Sequence, residues 1–331
     1  MNFVDIQVNG HVGVDFLVPV TAAQIQRVAQ RLRHDGVRAI LPTIITNDLA
    51  QMAVLLSTFR QVIDAAGPDM QRLMPAFHIE GPCLSPEDGY RGAHQAAFMR
   101  PASRALFEPL LEAAGGPQRV AMVTLAPEMD RDLHATRWLA ELGIVVAVGH
   151  TNAPLGLLRD AQDAGVRLFT HFGNGCATMV PHHDNILNRA LSLEKIHFAL
   201  IPDGHHVPWF LLRNWIRWVG LERCMITTDG TCPAGGPPGR YHIGPYEVEV
   251  GPDGKVHPPG QSFLAGSALT MPQAYANVMR HLELSESQAR VLCCENPGRL
   301  VAKWLVPPPC MRPPRTPAGD RSVRSPHGAS A

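Results

Sequence analysis

The sequence predicts an α/β protein built as a (β/α)8 barrel, and two observations carry this prediction. Eight short, β-branched apolar runs recur between residues 4 and 228, and segments with helical periodicity, such as 21–34 and 153–164, separate them. Runs that are apolar throughout, rather than alternating, are typical of parallel strands buried on both faces. Eight strand–helix units of this kind favour a barrel over an open sheet.

The elements follow in a regular order. The predicted strands are VDIQV from Val4, VRAILPTII from Val37, LMPAFHI from Leu73, RVAMVTL from Arg119, IVVAVG from Ile144, VRLFT from Val166, IHFALI from Ile196 and CMITT from Cys224. After a Gly/Pro-rich loop, RYHIGPYEVEVGPDGKVHP predicts a small hairpin around Asp253-Gly254, an insertion at about residues 240–263. Helices are then expected at about 271–281 and 285–294. We predict one domain over residues 1–305 and a disordered Pro/Arg-rich tail over 306–331.

Composition narrows the class of protein. The chain has 331 residues, 45% of them hydrophobic, and its 29 basic side chains balance 29 acidic ones. No charge excess would attract nucleic acid or an anionic membrane, and no apolar run approaches the roughly 20 residues needed to span a bilayer. Seven cysteines without a C-x-x-C pair suit reduced thiols. We expect a cytoplasmic protein that acts on a small molecule.

Polar residues stand where the predicted strands end, which is where the loops of such barrels build their active sites. Glu80, His150 and His171 end strands three, five and six and would offer one carboxylate oxygen and two imidazole nitrogens. That set suits Zn²⁺ or another divalent transition ion, with positions left open for water. Asp229, after strand eight, would carry a proton, and a histidine at 205 or 206 would polarise a carbonyl under attack.

Each of these residues also has a structural explanation. A single His at a strand end is more often a hydrogen-bonded loop residue than a ligand, and Glu80 alone would serve as a helix cap after its Gly-Pro turn. Four such residues at four strand ends favour the metal site. The remaining histidines assigned to the surface or to loops are His11, His34, His197, His242 and His257.

Ten motifs carry a resemblance to a known enzyme family. They are DIQVNGHVGVDF at Asp5, HIEGP at His78, GAH at Gly92, TLAPE at Thr124, GHTNA at Gly149, THFGN at Thr170, DGHHV at Asp203, TTDGTCPAG at Thr227, LAGSALTM at Leu264 and ENPGRL at Glu295. Through them the chain resembles the N-acetylglucosamine-6-phosphate deacetylases of the amidohydrolase superfamily. The resemblance covers residues 4–301 in family order.

The resemblance implies a TIM-like barrel of the metal-dependent hydrolase type and a role for each matched residue. Glu80, His150 and His171 fall on metal ligands, Asp229 on the catalytic acid/base and His206 on the residue that polarises the acetyl carbonyl. The implied substrate-binding residues are His94, Asn174, Gly175, Leu264 and Ala265. Gln7 and Asn9 replace the His-x-His pair that holds a second metal in many amidohydrolases, so one metal per chain is expected, with Zn favoured and Fe, Mn or Co as alternatives. Both amides are counted among the substrate-binding candidates.

Two departures from the family pattern shape the functional prediction. The accessory β-sandwich usual in the family is expected to be largely missing, because the chain begins at barrel strand one and ends in the Pro/Arg-rich tail. His183 stands where relatives place a phosphate-binding Arg, as a weaker, pH-dependent substitute that Arg189 or Arg91 would supplement. We predict a deacetylase of N-acetylglucosamine 6-phosphate, with a homodimer as the family expectation. The alternatives are an unphosphorylated N-acetyl sugar or another N-acyl substrate, or an inactive barrel.

Overall fold

The computed structural model describes residues 1–260 and 264–305 and confirms the barrel. Eight strands pair in parallel with their neighbours in sequence order. They are β1 Phe3–Val8, β2 Val37–Ile45, β3 Phe77–Glu80, β4 Val120–Leu125, β5 Val145–Val148, β6 Val166–Phe169, β7 His197–Leu200 and β8 Cys224–Ile226. Because all eight run the same way, their carboxyl ends meet at one rim, and the site residues lie there.

The seam between β8 and β1 is closed by few backbone contacts and one buried carboxylate. Val8 and Gly230 form an isolated parallel bridge rather than a ladder. Below it, the Asp5 carboxylate accepts hydrogen bonds from the hydroxyls of Thr227 and Thr228 at 2.7 and 2.6 Å. Burial raises the pKa of Asp5, although these hydrogen bonds act against the rise. At this seam, hydrogen bonds to the Asp5 side chain therefore join the two strands, as backbone hydrogen bonds join the other neighbouring strands.

Helices cover the outside of the barrel and follow the predicted periodicity. They are α1 Ala22–His34, α2 Leu49–Ala65, α3 Pro68–Leu73, α4 Arg104–Ala114, α5 His134–Glu141, α6 Leu155–Ala164, α7 Ile186–Leu191, α8 Trp209–Val219, α9 Met271–Leu282, α10 Glu286–Arg290 and α11 Asn296–Leu300. The helix expected at 285–294 is α10 followed by a π-helical turn, Val291–Glu295. Thr21 starts α1 with a capping box to Gln24, which fixes where that helix begins. Among the described residues, no helix is both long and apolar enough to cross a membrane.

The apolar core has an outer and an inner part. The outer part lies between strands and helices, while an inner cluster fills the barrel and includes Ile6, Leu41, Met122, Ala147, Leu168, Ala199 and Met225. Val301 and Trp304 pack against the inner cluster. The Trp304 indole N–H donates to the carbonyl of Gln118, just before β4, at 2.9 Å. The segment after α11 thus closes the end of the barrel opposite the site.

The insertion after β8 is larger than the hairpin predicted around Asp253-Gly254. It is a three-stranded antiparallel sheet of β9 Gly239–Ile243, β10 Tyr246–Val250 and β11 Val256–His257. The first two strands turn through Gly244 and Pro245, and Gly244 has the positive φ of 54° that such a tight connection needs. The Asp253-Gly254 turn joins only the second pair. Residues 261–263 and the tail predicted over 306–331 lie outside the described residues, and the domain boundaries stay a prediction.

Candidate metal centre and active site

Glu80, His150 and His171 converge in a buried cluster at the carboxyl-end rim of the barrel. Glu80 is the last residue of β3, and each histidine lies two residues beyond its strand. Glu80 Oε1 lies 2.8 Å from His171 Nε2 and 3.4 Å from His150 Nε2, and the two nitrogens are 3.1 Å apart. Ligands about 2.0–2.1 Å from a tetrahedral ion stand about 3.3 Å from one another. The predicted ligand set is therefore assembled at a spacing that suits a single metal ion.

The surroundings of His150 fix which nitrogen faces the cluster. Nδ1 lies 2.8 Å from the Tyr90 carbonyl, which can only accept, so Nδ1 carries the proton and Nε2 keeps its lone pair. Two glycines leave room for the ring. A Cβ on Gly92 or Gly175 would lie 2.9 or 2.5 Å from ring atoms of His150. Gly175, predicted to bind substrate, thus has a direct packing role against a predicted metal ligand.

Left-handed backbone marks three of the site residues. His150, His171 and Asp229 have φ values of 50°, 27° and 49°. A non-glycine residue rarely adopts this conformation, which costs of the order of 1–3 kcal/mol and gathers at functional sites. The chain here turns sharply just beyond the strand ends and aims the side chains inward.

Gln7 and Asn9 hold the Asp229 carboxylate. The Gln7 amide N–H₂ donates to Glu80 Oε2 at 3.0 Å and to Asp229 Oδ1 at 3.1 Å. Asn9 donates to the same Asp229 oxygen at 2.7 Å, while its own Oδ1 is buried without a partner among the described residues. Burial raises the pKa of Asp229 to about 6, with the charge of Glu80 adding to the rise and that of His171 opposing it. With a pKa of about 6, the Asp229 carboxyl can exchange a proton close to neutral pH.

The two histidines after β7 separate into different environments. His206 Nδ1 donates to Asp203 Oδ2 at 2.5 Å, and the backbone N–H of His206 donates to Asp203 Oδ1 at 2.9 Å. Burial alone would raise the pKa of Asp203, but the hydrogen bond and charge of His206 hold that pKa below its usual value. His206 also lies close enough to Asp229 for its charge to lower the pKa of that group. His205 instead contacts the carbonyl of Asp253 in the insertion at 2.8 Å.

Other predicted substrate-binding residues lie around this cluster, with one exception. The His94 ring centre is 4.5 Å from that of His150, and burial, with the charge of His150 adding, lowers the pKa of His94 to about 3. Asn174 donates to the His171 carbonyl at 2.9 Å. Leu264 and Ala265 lie just before Ser267 in the chain. The Ser267 backbone N–H donates to the Asp229 carbonyl at 3.0 Å, and this hydrogen bond joins the segment to the Asp229 loop. His183 is exposed, and in the described part of the chain no hydrogen bond or ring contact links its side chain to the cluster.

The sequence analysis missed two contributors to the site and misjudged the exposure of one further histidine. The Tyr90 carbonyl gave no signal, because any residue type supplies a backbone carbonyl. Thr170, adjacent to His171 in THFGN, donates its hydroxyl to Gln7 Oε1 at 2.6 Å, and only its position hinted at this. The assignment of His11 to the surface or a loop was wrong in its exposure, since His11 is 4% exposed and packs against Gly235.

Fold and site together are those of a barrel hydrolase with a candidate metal centre at its carboxyl-end rim. A scan of protein-family models finds no match, but whole-chain comparisons do. The chain is 30% identical to bovine N-acetylglucosamine-6-phosphate deacetylase, over 90% of this chain and 73% of that protein. It is also 30% identical to a Shewanella N-acetylgalactosamine-6-phosphate deacetylase, over 91% and 73%. The chain belongs to this family of amino-sugar-6-phosphate deacetylases.

The solved structures agree with this assignment. A Mycobacterium smegmatis N-acetylglucosamine-6-phosphate deacetylase, a mutant in complex with N-acetylglucosamine 6-phosphate, superposes with a TM-score of 0.81 at 29% identity. The superposition covers 91% of this chain and 77% of that one. The prediction of a hydrolase that resembles the N-acetylglucosamine-6-phosphate deacetylases is confirmed.

Proposed function

We propose that this protein removes the N-acetyl group from N-acetylglucosamine 6-phosphate and releases acetate and the free amine. The buried cluster of Glu80, His150 and His171, with Asp229 held beside it by two amides, is the observation that carries the proposal. It supplies a ligand set and a proton carrier at the rim where such barrels act. The substrate class, an N-acetylated amino-sugar 6-phosphate, is proposed from the names of the relatives given above.

One divalent ion fits the residues present. Glu80 Oε1, His150 Nε2 and His171 Nε2 would hold it, and Zn²⁺ is favoured, although Fe²⁺, Mn²⁺ and Co²⁺ accept the same donors. When bound, the ion supplies Lewis acidity, which polarises an amide carbonyl and makes water easier to deprotonate. The Gln7 N–H₂ group lies between the two carboxylates that a second ion would need, which supports one ion per chain.

Asp229 would move the proton that amide hydrolysis requires. Its pKa, raised to about 6, suits a carboxyl that takes a proton from attacking water and returns it to the departing nitrogen. His206 would steady the developing oxyanion, because its bond to Asp203 fixes the ring through Nδ1 and leaves Nε2 for the substrate.

The remaining contacts would position the sugar and its phosphate. We assign sugar binding to His94, Asn174, Gly175, Leu264 and Ala265. Asn9 Oδ1, which has no hydrogen-bond partner among the described residues, would be a further acceptor. His183, one of several exposed residues in its loop, would contact the phosphate. Arg189 is engaged by the Asp184 carboxylate and by carbonyls of residues 152 and 153. A cytoplasmic location and a homodimer belong to the same proposal.

N-acetylgalactosamine 6-phosphate is the second candidate substrate. The Shewanella relative, which is named for this substrate, is 30% identical to the chain. The bovine N-acetylglucosamine-6-phosphate deacetylase is also 30% identical to it. The two sugars differ only in the configuration at C4. Acetate release measured side by side on both phosphates and on unphosphorylated N-acetylglucosamine would rank them, and a preference for the unphosphorylated sugar would contradict phosphate recognition.

The proposal is tested by elemental analysis of the purified protein together with the acetate-release assay. We expect about one metal per chain and acetate from N-acetylglucosamine 6-phosphate. Glu80→Gln keeps the size of the side chain but loses the anionic ligand, so metal content and acetate release should fall together. A folded wild-type protein that binds no metal would overturn the proposal in favour of an inactive barrel.

A further inference from the structure

A chain of hydrogen bonds runs across the mouth of the barrel and joins four strand ends. The Thr170 hydroxyl, after β6, donates to Gln7 Oε1 in β1 at 2.6 Å. The N–H₂ end of the same amide donates to Glu80 Oε2, at the end of β3, and to Asp229 Oδ1, after β8. Thr170 and Gln7 are 0% and 1% exposed, so water does not compete for these bonds.

Thr170 supplies what the buried oxygen of Gln7 needs. The two carboxylates select the N–H₂ end of the amide, because its oxygen would repel both of them. That choice leaves Oε1 as a buried acceptor, and an unpaired buried acceptor costs about 1–3 kcal/mol. Without the Thr170 hydroxyl, the amide would rotate to find another donor and would release the carboxylates.

We propose that Thr170 is a positioning residue for the reaction, acting through Gln7 on the two carboxylates of the site. This inference rests on the proposed function, in which Glu80 holds the metal and Asp229 carries the proton. Gln7 and Asn9 together hold Asp229 Oδ1, while Asp229 Oδ2 accepts no hydrogen bond within the described part of the chain. Thr170 thereby helps to present Oδ2 as the oxygen that exchanges the proton.

The test is a double-mutant cycle of Thr170→Val and Gln7→Ala, with kcat, KM and metal affinity as readouts. Thr170→Val keeps the branched shape and removes the hydroxyl. We expect kcat to fall about tenfold, as for the loss of one buried hydrogen bond, and KM to change less than about threefold because Thr170 does not reach the substrate. Affinity for Zn²⁺, measured against a chelator, should weaken because Gln7 also holds Glu80. In the Gln7→Ala background, Thr170→Val should have no further effect.

Two matched variants complete the design. Thr170→Ser restores the hydroxyl and should recover most of kcat. Thr136→Val removes a buried hydroxyl on α5 that has no hydrogen-bond partner among the described residues, and it should behave like the wild type.

Two results would overturn the inference: an unchanged kcat in Thr170→Val, or the same loss with and without Gln7. If the wild type releases no acetate from any amino sugar, the proposed function fails. The cycle measured on Zn²⁺ affinity then decides the inference alone, with additive effects refuting the link through Gln7.

Discussion

Gly175 shows how little space surrounds the proposed metal ligands. An added methyl group would lie 2.5 Å from His150 Nδ1, and the φ of 58° at this residue already disfavours any side chain. Gly175→Ala should therefore push His150 off the Tyr90 carbonyl and weaken metal affinity by about 10–100-fold, as is typical when a ligand loses its orienting partner. Chelator competition measures this. Gly156→Ala in α6 is the control and should bind metal normally, because an added Cβ there would meet no other part of the described chain within 4 Å.

The role of Asp229 can be tested without replacing any of the proposed metal ligands. Asp229→Asn keeps an acceptor for Gln7 and Asn9 but can no longer take up a proton. We expect the rate of acetate release to fall by about 10²–10⁴-fold, with metal content near that of the wild type, because general acid–base catalysis contributes that much. Activity within tenfold of the wild type would show that another group carries the proton.

The side-chain types of the site were predictable, and their fine contacts were not. Parallel strands end at one rim, so polar residues at strand ends had to meet there, which is why Glu80, His150 and His171 could be grouped from sequence. The orienting Tyr90 carbonyl and the buried state of His11 depend on how loops distant in sequence pack. Periodicity within one segment carries no information about that packing.

The seam between β8 and β1 makes Asp5 a structural element in its own right. Asp5→Ala would leave the hydroxyls of Thr227 and Thr228 without their acceptor where the ladder is reduced to a single bridge. The free energy of unfolding, measured by urea denaturation, should fall by about 3 kcal/mol. Asp163→Ala removes an exposed ion pair with Lys195 and should cost less than about 1 kcal/mol. Equal effects of the two variants would contradict the role of Asp5 at the seam.

The regular elements were predicted more accurately than the connections. Eight apolar runs became eight strands, because burial on both faces forces a continuous apolar pattern. The insertion was underestimated as one hairpin. Asp-Gly is a familiar turn signal, whereas Gly244-Pro245 turns through the positive φ of Gly244, which the letters alone do not reveal.

At the scale of the whole molecule, buried neutral histidine makes stability depend on pH. Burial lowers the pKa of His11 to about 4 from 6.5, with the Arg31 charge adding to the fall and Asp35 opposing it. Between these values the unfolded chain binds a proton that the folded chain does not. The contribution of His11 is therefore present above pH 6.5 and is lost as the pH falls towards 4. From pH 6.5 to 5 the free energy of unfolding should drop by about 2 kcal/mol on this account.

Urea unfolding of His11→Gln at the two pH values checks this. The variant should show a shallower dependence than the wild type, although not a flat one, because burial lowers the pKa of His78 to about 4 as well. His34→Gln, at an exposed position at the end of α1, is the control for the substitution itself. A slope unaltered by His11→Gln would refute the assignment.

The left-handed backbone at His150, His171 and Asp229 has a consequence for any effort to evolve this enzyme. Glycine adopts that conformation without strain, so exchanging any of these residues for glycine would relax the local chain while deleting its chemistry. A library screened for thermal tolerance alone would enrich variants with glycine at these positions, and these variants would be stable but inactive. Catalytic turnover has to be part of the screen from its first round.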